Sequence, residues 1–298
     1  MPAGAIRDTL VVMSDITTIA VIGAGQMGGG ISQVAATSGF KVLLCDSHPT
    51  ALERCKSNHA KRLAREVEKA RMTQQQMDAA LANLSYVGSV DDLKSADVVI
   101  EAIVEDVRIK RDLFARLASM FTGSQILASN TSSISITDIA AAAGAASGRV
   151  IGMHFFNPVP VMKLVEVIKG LQTSQETTDR VIELAKKMGK TPVPANDRPG
   201  FVSNRVLMPM INEAFFAWME GVAEPEHLDE IMKLGCNFPM GPLRLADFIG
   251  LDTCLHILNV LHRELGEDKY RPCPLLKQLV AAGRYGDKSG RGVFEYPR

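Results

Sequence analysis

For this chain the sequence predicts an α/β fold: a doubly wound parallel sheet followed by an all-helical C-terminal domain. Three observations predict it. Short apolar, β-branched runs alternate with amphipathic stretches as far as Asp197, and a glycine-rich turn joins the first run to the first helical pattern. From residue 202 onward nearly every segment carries helical periodicity, broken only around Pro225, Pro239, Pro242, Pro272 and Pro274. Strands that alternate with helices pair in parallel, because each crossover helix carries the chain back across a face of the sheet.

Taken in order, residues 18–23 form a β-rich run that ends in Gly23. Residues 26–38 carry a helical pattern that Gly39 stops. Residues 41–45 read as a second apolar strand, closed by Asp46. A long charged amphipathic stretch covers residues 50–72, and a further helix residues 73–83. The runs 97–102, 125–128 and 150–153 read as buried strands separated by helical segments, and the alanine-rich stretch 140–146 ends one of these. Past Asp197-Arg198-Pro199-Gly200 the character changes. The expected division is an N-terminal extension over residues 1–15, a sheet domain over 16–197 and a helical domain over 198–298.

Lysine plus arginine and aspartate plus glutamate both number 33 in 298 residues, so no net field recruits nucleic acid or an anionic membrane. Aromatic residues make up 5 % of the chain and do not interleave with the basic ones, which argues the same way. Charge or glycine interrupts every apolar run well short of a membrane span. Cys45, Cys55, Cys236, Cys254 and Cys273 are scattered, odd in number and form no Cys-x-x-Cys. That pattern suits a reducing cytoplasm and argues against disulfides and structural zinc; no metal site is expected. The first residues lack the basic, apolar and small-residue zones of a signal peptide.

Gly23-Ala24-Gly25-Gln26-Met27-Gly28 matches Gly-x-Gly-x-x-Gly, a weak signal alone. Here it follows a strand, opens a helix and precedes an acidic residue, Asp46, at the end of the next strand. Gly23 permits the tight turn, Gly25 lets a pyrophosphate approach the backbone, and Gly28 lets helix and strand pack closely. Amides at the helix start, at Gln26 and Met27, then meet the phosphate charge. Asp46 would accept hydrogen bonds from ribose hydroxyls and repel a 2′-phosphate, which favours NAD over NADP. FAD is the competing cofactor, although a glutamate is more usual there. The first domain is therefore Rossmann-like.

Glu166 lies in the strand-like run Lys163-Leu164-Val165-Glu166-Val167-Ile168, a few residues after His154-Phe155-Phe156-Asn157-Pro158. A carboxylate between two valines is costly to bury unless something pairs with it. The nearest titratable candidate is His154, and a carboxylate that orients an imidazole makes a general acid/base pair. Glu101, in another apolar strand, reads as structural. Ligands of open α/β sheets bind at the carboxyl ends of strands. Ser129-Asn130-Thr131-Ser132-Ser133 follows the run 125–128 and His154 follows the run 150–153, so both project from that edge.

The glycine fingerprint, Ser129-Asn130-Thr131-Ser132-Ser133, His154-Phe155-Phe156-Asn157-Pro158-Val159-Pro160, Glu166 and Arg198-Pro199-Gly200-Phe201-Val202-Ser203-Asn204-Arg205 closely resemble the L-3-hydroxyacyl-CoA dehydrogenases, among them the bacterial 3-hydroxybutyryl-CoA dehydrogenases. The resemblance runs from about Thr18 to Tyr296. It implies reversible NAD-dependent oxidation of an L-3-hydroxyacyl-CoA, with His154 as the base and Glu166 as its orienting partner. It further implies that Ser132 hydrogen-bonds substrate and cofactor and that Asn204 positions the acyl group. Glu105, Lys110, Asn157 and Lys288 fall at positions that contact NAD in the family. Arg62 and Lys69, on the long charged helix, fall where it contacts CoA. A homodimer assembled through the helical domain is implied as well. A crystallin-type relative that oxidises a free sugar acid such as gulonate would share the fold and the His-Glu pair without CoA contacts, and a non-catalytic NAD-binding relative would share the fold alone.

Overall fold

The computed structural model of the protein describes residues 16–296; the expected extension over residues 1–15 lies outside them. The described chain forms two compact units. One runs through Thr131 and over Ile136–Ala195, the other takes in Ser132–Ser135 and everything from Asn196 onward.

The first unit is built on a sheet whose strands are β1 (Thr18–Ile22), β2 (Lys41–Cys45), β3 (Leu84–Val87), β4 (Val98–Glu101), β5 (Ile126–Ser129), β6 (Val150–Phe155), β7 (Leu164–Lys169) and β8 (Thr191–Asn196). Their spatial order is β3-β2-β1-β4-β5-β6-β7-β8. β1 pairs in parallel with both β2 and β4, so the order reverses beside it, and the carboxyl ends of β1 and β4 flank a switch point. α1 (Gln26–Thr37), α2 (Pro49–Glu68), α3 (Gln74–Ala82), α4 (Val107–Met120), α5 (Ile136–Ala142) and α6 (Gln175–Lys187) connect the strands. Ile19, Val21, Val42, Leu44, Val98, Ile100 and Ile126 are almost wholly buried, and α1 and α6 pack Ile31, Val34, Val181 and Leu184 against them.

Three expectations need correction. β7 runs antiparallel to β6, with His154 opposite Glu166 in the register, so the sheet is mostly rather than wholly parallel. β6 and β5 extend past the runs read from hydropathy: His154 lies within β6 and Ser129 ends β5, instead of following those strands. Hydropathy underestimates both because polar residues take the ends, where the ladder continues for want of any breaker. α2 ends at Glu68, so Lys69 is its C-cap and not a helical residue; Ala70 follows with φ 53°. Thr73 then restarts the chain as α3 through a reciprocal capping box with Gln76. The edge strand β8 was not expected from its sequence, since Pro192 and Pro194 cannot donate to a ladder.

The second unit is helical: α7 (Ser203–Met219), α8 (Pro225–Gly235), α9 (Pro242–Ile249), α10 (Leu251–Leu265) and α11 (Pro274–Ala281). Met208, Ile211, Phe215, Leu243, Leu251, Leu258 and Leu261 form its core. Asp247 anchors the chain's last described segment by accepting from Val293 N, Phe294 N and the Tyr296 hydroxyl. No helix among the described residues is long and apolar enough to cross a membrane, and no group of three metal-binding side chains occurs among them.

Candidate active site

The turn between β1 and α1 uses its three glycines for different reasons. Gly23 has φ +106°, and a Cβ there would lie 2.5 Å from the Ala102 carbonyl. A Cβ on Gly28 would run into the Gly23 carbonyl, so helix and strand meet there backbone to backbone. At Gly25 a Cβ would meet no atom of the protein within 4 Å. Internal packing therefore gives no reason for glycine at this position, whereas close approach of a ligand to the backbone does. Gly25 is also the N-cap of α1: no side chain caps the helix and no acidic residue sits in its first turn. Amides at such an end hold partial positive charge suited to a phosphate.

Asp46 ends the turn after β2 and accepts from Ala24 N at 2.7 Å and His48 N at 2.9 Å. Burial works to raise its pKa, but those donors and the nearby His48 ring outweigh it and hold the carboxyl below its ordinary value. It stays ionised at neutral pH beside the glycine turn, where a ribose hydroxyl could donate to it. The residues present fit a dinucleotide.

At the carboxyl ends of β4 and β5, Glu101 and Ser129 are register partners. Glu101 is fully buried and accepts from Lys110 Nζ, Ile103 N and the Ser129 hydroxyl. Lys110, also buried, lies 3.3 Å from Glu105, which accepts from the Thr131 hydroxyl at 2.6 Å. A buried cation between two carboxylates is compensated rather than exposed. The structural reading of Glu101 thus becomes specific: it fixes the side chain of Lys110.

His154 and Glu166 project from the same face of the β6–β7 pair because they are directly opposed. The imidazole Nδ1 lies 2.7 Å from Glu166 Oε2, with both side chains buried. A carboxylate only accepts, so Nδ1 carries the proton and donates, and Nε2 bears the basic lone pair. Phe156 packs against the ring at a tilt of 45°, with centroids 4.6 Å apart. Asn130 Oδ1 accepts from Phe155 N at 2.9 Å, tying the end of β5 to the residue after His154. Sequence reading missed that role, although Asn130 lies in the recognised Ser-Asn-Thr block. Asn157 Oδ1 accepts from Gln26 Nε2 at 2.9 Å, which joins the residue after the His-Phe-Phe run to the start of α1.

In the helical unit, Asn204 near the start of α7 donates through Nδ2 to the Ser132 carbonyl at 2.9 Å, so these two candidates are held together. Ser132 is half-buried and Ser133 buried. Lys288 pairs with Asp252 at 2.6 Å.

Arg62 and Lys69 line a pocket of about 800 Å³ in the sheet unit, together with Arg65 and Arg71. Asn157 and Pro160 line it as well. Glu66 is the acidic residue of this lining. With Lys190 this lining holds five cations around one carboxylate, a balance of charge that suits an anion.

A Rossmann sheet, an uncapped glycine turn, an ionised aspartate after β2 and a buried His-Glu pair define a dinucleotide-dependent oxidoreductase. A family model for the 3-hydroxyacyl-CoA dehydrogenase NAD-binding domain matches residues 18–198, and one for the C-terminal domain of the same family matches residues 200–296. The chain belongs to the 3-hydroxyacyl-CoA dehydrogenase family and is an NAD-dependent enzyme. It is 56 % identical over 282 residues, 95 % of this chain and 98 % of the relative, to a probable 3-hydroxybutyryl-CoA dehydrogenase of Bacillus subtilis. It is 42 % identical to the mitochondrial hydroxyacyl-coenzyme A dehydrogenase of Homo sapiens, over 93 % of this chain and 90 % of the relative. The crystal structure of (S)-3-hydroxybutyryl-CoA dehydrogenase from Ralstonia eutropha matches with a TM-score of 0.92 at 48 % identity, covering 95 % of this chain and 100 % of that one.

Proposed function

We propose that the protein oxidises L-(S)-3-hydroxyacyl-CoA to 3-ketoacyl-CoA reversibly, with short acyl chains such as 3-hydroxybutyryl as substrates. The observation that carries the reading is the buried His154–Glu166 pair, 2.7 Å apart at the end of β6. NAD, when bound, supplies the hydride acceptor. His154 Nε2 takes the proton of the 3-hydroxyl as the carbonyl forms, and Glu166 stabilises the imidazolium that results. In the reverse direction His154 returns that proton to the substrate oxygen. Ser132 and Asn204 orient the substrate; the asparagine's bond to the Ser132 carbonyl supports a common role. Asp46 takes the adenosine ribose, Gly23, Gly25, Gln26, Met27 and Gly28 the pyrophosphate, and Glu105, Lys110, Asn157 and Lys288 the remainder of the cofactor. Arg62 and Lys69 take phosphates of CoA, a role their shared basic pocket favours.

The same reading places the protein in the cytoplasm as a homodimer. Support for self-association comes from exposed apolar side chains on the helical unit, among them Val206 at 69 %, Ile231 at 62 % and Leu234 at 77 %. The deciding assay follows NADH oxidation with acetoacetyl-CoA and longer 3-ketoacyl-CoAs, beside gulonate with NAD. Turnover with gulonate and none with the thioesters would overturn the proposal.

A further inference from the structure

Asn130 follows the last residue of β5, and its side chain takes over where the backbone ladder stops. The parallel register of β5 and β6 ends with Ser129 opposite Gly152. One residue on, Asn130 Oδ1 accepts from Phe155 N at 2.9 Å, while the backbone N–H of Asn130 donates to the Glu101 carbonyl at 2.8 Å. These two bonds tie the residue to β6 and β4 at once. A backbone N–H needs an acceptor, so the amide has one orientation: its oxygen faces Phe155, which leaves Nδ2 and its two N–H groups on the other side. No described residue accepts from Nδ2. Asn130 is half-buried, and Nδ2 is open to solvent rather than sealed within the sheet unit. The tie to Phe155 therefore accounts for the oxygen alone, and an aspartate would serve it as well.

A dinucleotide on such a sheet lies across the carboxyl ends of the strands at the switch point. Asp46, after β2, is the proposed partner of the adenosine ribose, and the glycine turn after β1 that of the pyrophosphate. The sheet order β2-β1-β4-β5-β6 then leaves the nicotinamide half over β4 to β6. His154 is on β6, one residue before the N–H that orients Asn130. Asn130 itself belongs to the sheet unit, within the span matched by the family's NAD-binding domain. A donor fixed at this place by two strands suits an oxygen acceptor on the nicotinamide. We propose that Asn130 is a cofactor-binding residue whose Nδ2 donates to the carboxamide oxygen of the nicotinamide. The contact would hold the ring in one rotation about its glycosidic bond. The assignment rests on the placement of the adenosine at Asp46.

Calorimetric titration of the intact protein with NADH, its thionicotinamide analogue and ADP-ribose tests the assignment by binding. Asn130→Asp keeps an acceptor for Phe155 N and removes the N–H donor. It should weaken NADH by roughly three- to tenfold, the scale of one neutral hydrogen bond, and leave ADP-ribose, which has no nicotinamide, unchanged. Sulfur is the poorer acceptor, so the wild type should prefer NADH to the thionicotinamide analogue. That preference should shrink toward parity in Asn130→Asp. Asn130→Ala loses both bonds and should show the same shrinkage, with a lower thermal midpoint. An Asn130→Asp protein that binds NADH as the wild type does would leave Asn130 only its tie to Phe155 and overturn the proposal. An equal loss of ADP-ribose would do the same, as would a preference over the sulfur analogue that survives the substitution. Should Asn130→Asp not fold, Asn130→Ala decides on the same two comparisons. Normal NADH binding with a lowered kcat on acetoacetyl-CoA would move the donor to the substrate and overturn the cofactor contact. If ADP-ribose is indifferent to Asp46→Ala while Asn130→Asp behaves as expected, the adenosine placement fails and the role of Asn130 stands.

Discussion

At the scale of single residues, the His154–Glu166 bond carries the sharpest expectations. His154→Ala should lower kcat by about 10²–10⁴-fold, the usual weight of general acid/base catalysis, with NADH binding retained. Glu166→Gln keeps the volume but no longer balances an imidazolium, so kcat should fall while the thermal midpoint holds. A His154→Ala enzyme with a tenth of wild-type turnover would remove the histidine from the chemistry. Asp46 offers a second single-position test. Its ionised carboxylate beside the glycine turn should exclude a 2′-phosphate, so Asp46→Ala should narrow the preference for NADH over NADPH without reversing it. Ser47 and His48, the next residues, supply no guanidinium to hold that phosphate. Equal use of NADPH by the wild type would show that Asp46 does not set the preference.

At the scale of elements, the β1–α1 turn separates cofactor binding from folding. Gly25→Val should weaken NADH with little change in thermal midpoint, because the added side chain meets no protein atom within 4 Å of its Cβ. Gly28→Ala drives a methyl into the Gly23 carbonyl and should cost stability, about 1–3 kcal/mol on the scale of overpacking. Thermal melts and NADH titration of both variants distinguish the roles. The junction of α1, α2 and β3 is held by His59, which is fully buried. Its Nε2–H donates to the Gly29 carbonyl at 2.7 Å, and its Nδ1 accepts from the Tyr86 hydroxyl at 2.8 Å. Desolvation lowers its pKa below 6.5, against the smaller opposing effect of the Gly29 bond. The unfolded chain then takes up the proton more readily than the folded one. Stability from this residue is present in full above pH 6.5 and is lost as pH falls from there toward the folded value. Melts between pH 7.5 and 5, roughly spanning that histidine window, should show a slope that His59→Gln flattens.

At the scale of the whole molecule, the exposed apolar side chains of the helical unit bear on assembly. Ile231 and Leu234 sit three residues apart on α8, both largely exposed. Sedimentation should show a dimer, and the double substitution Ile231→Glu/Leu234→Glu should shift it toward monomer. A monomeric wild type would discard the homodimer; a dimer that survives the double substitution would place its interface off α8.

Much of the fold and of the site could be read from the chain before it folds. Alternating runs, the glycine turn with Asp46 behind it and the helical periodicity after residue 202 depend on local sterics and on period, which a chain carries in any context. The His154–Glu166 pair was legible for a related reason: a carboxylate flanked by valines demands a partner wherever it folds. That β7 turns antiparallel and sets those two side chains directly opposite each other emerges from strand pairing, because register depends on a partner strand. The same holds for Glu101 as the anchor of Lys110 and Asn130 as the tie to Phe155. It holds most of all for Lys190. A lysine after a helix-ending glycine reads as solvated, and nothing local announces that the fold will bury its ammonium against two carbonyls on the wall of a basic pocket.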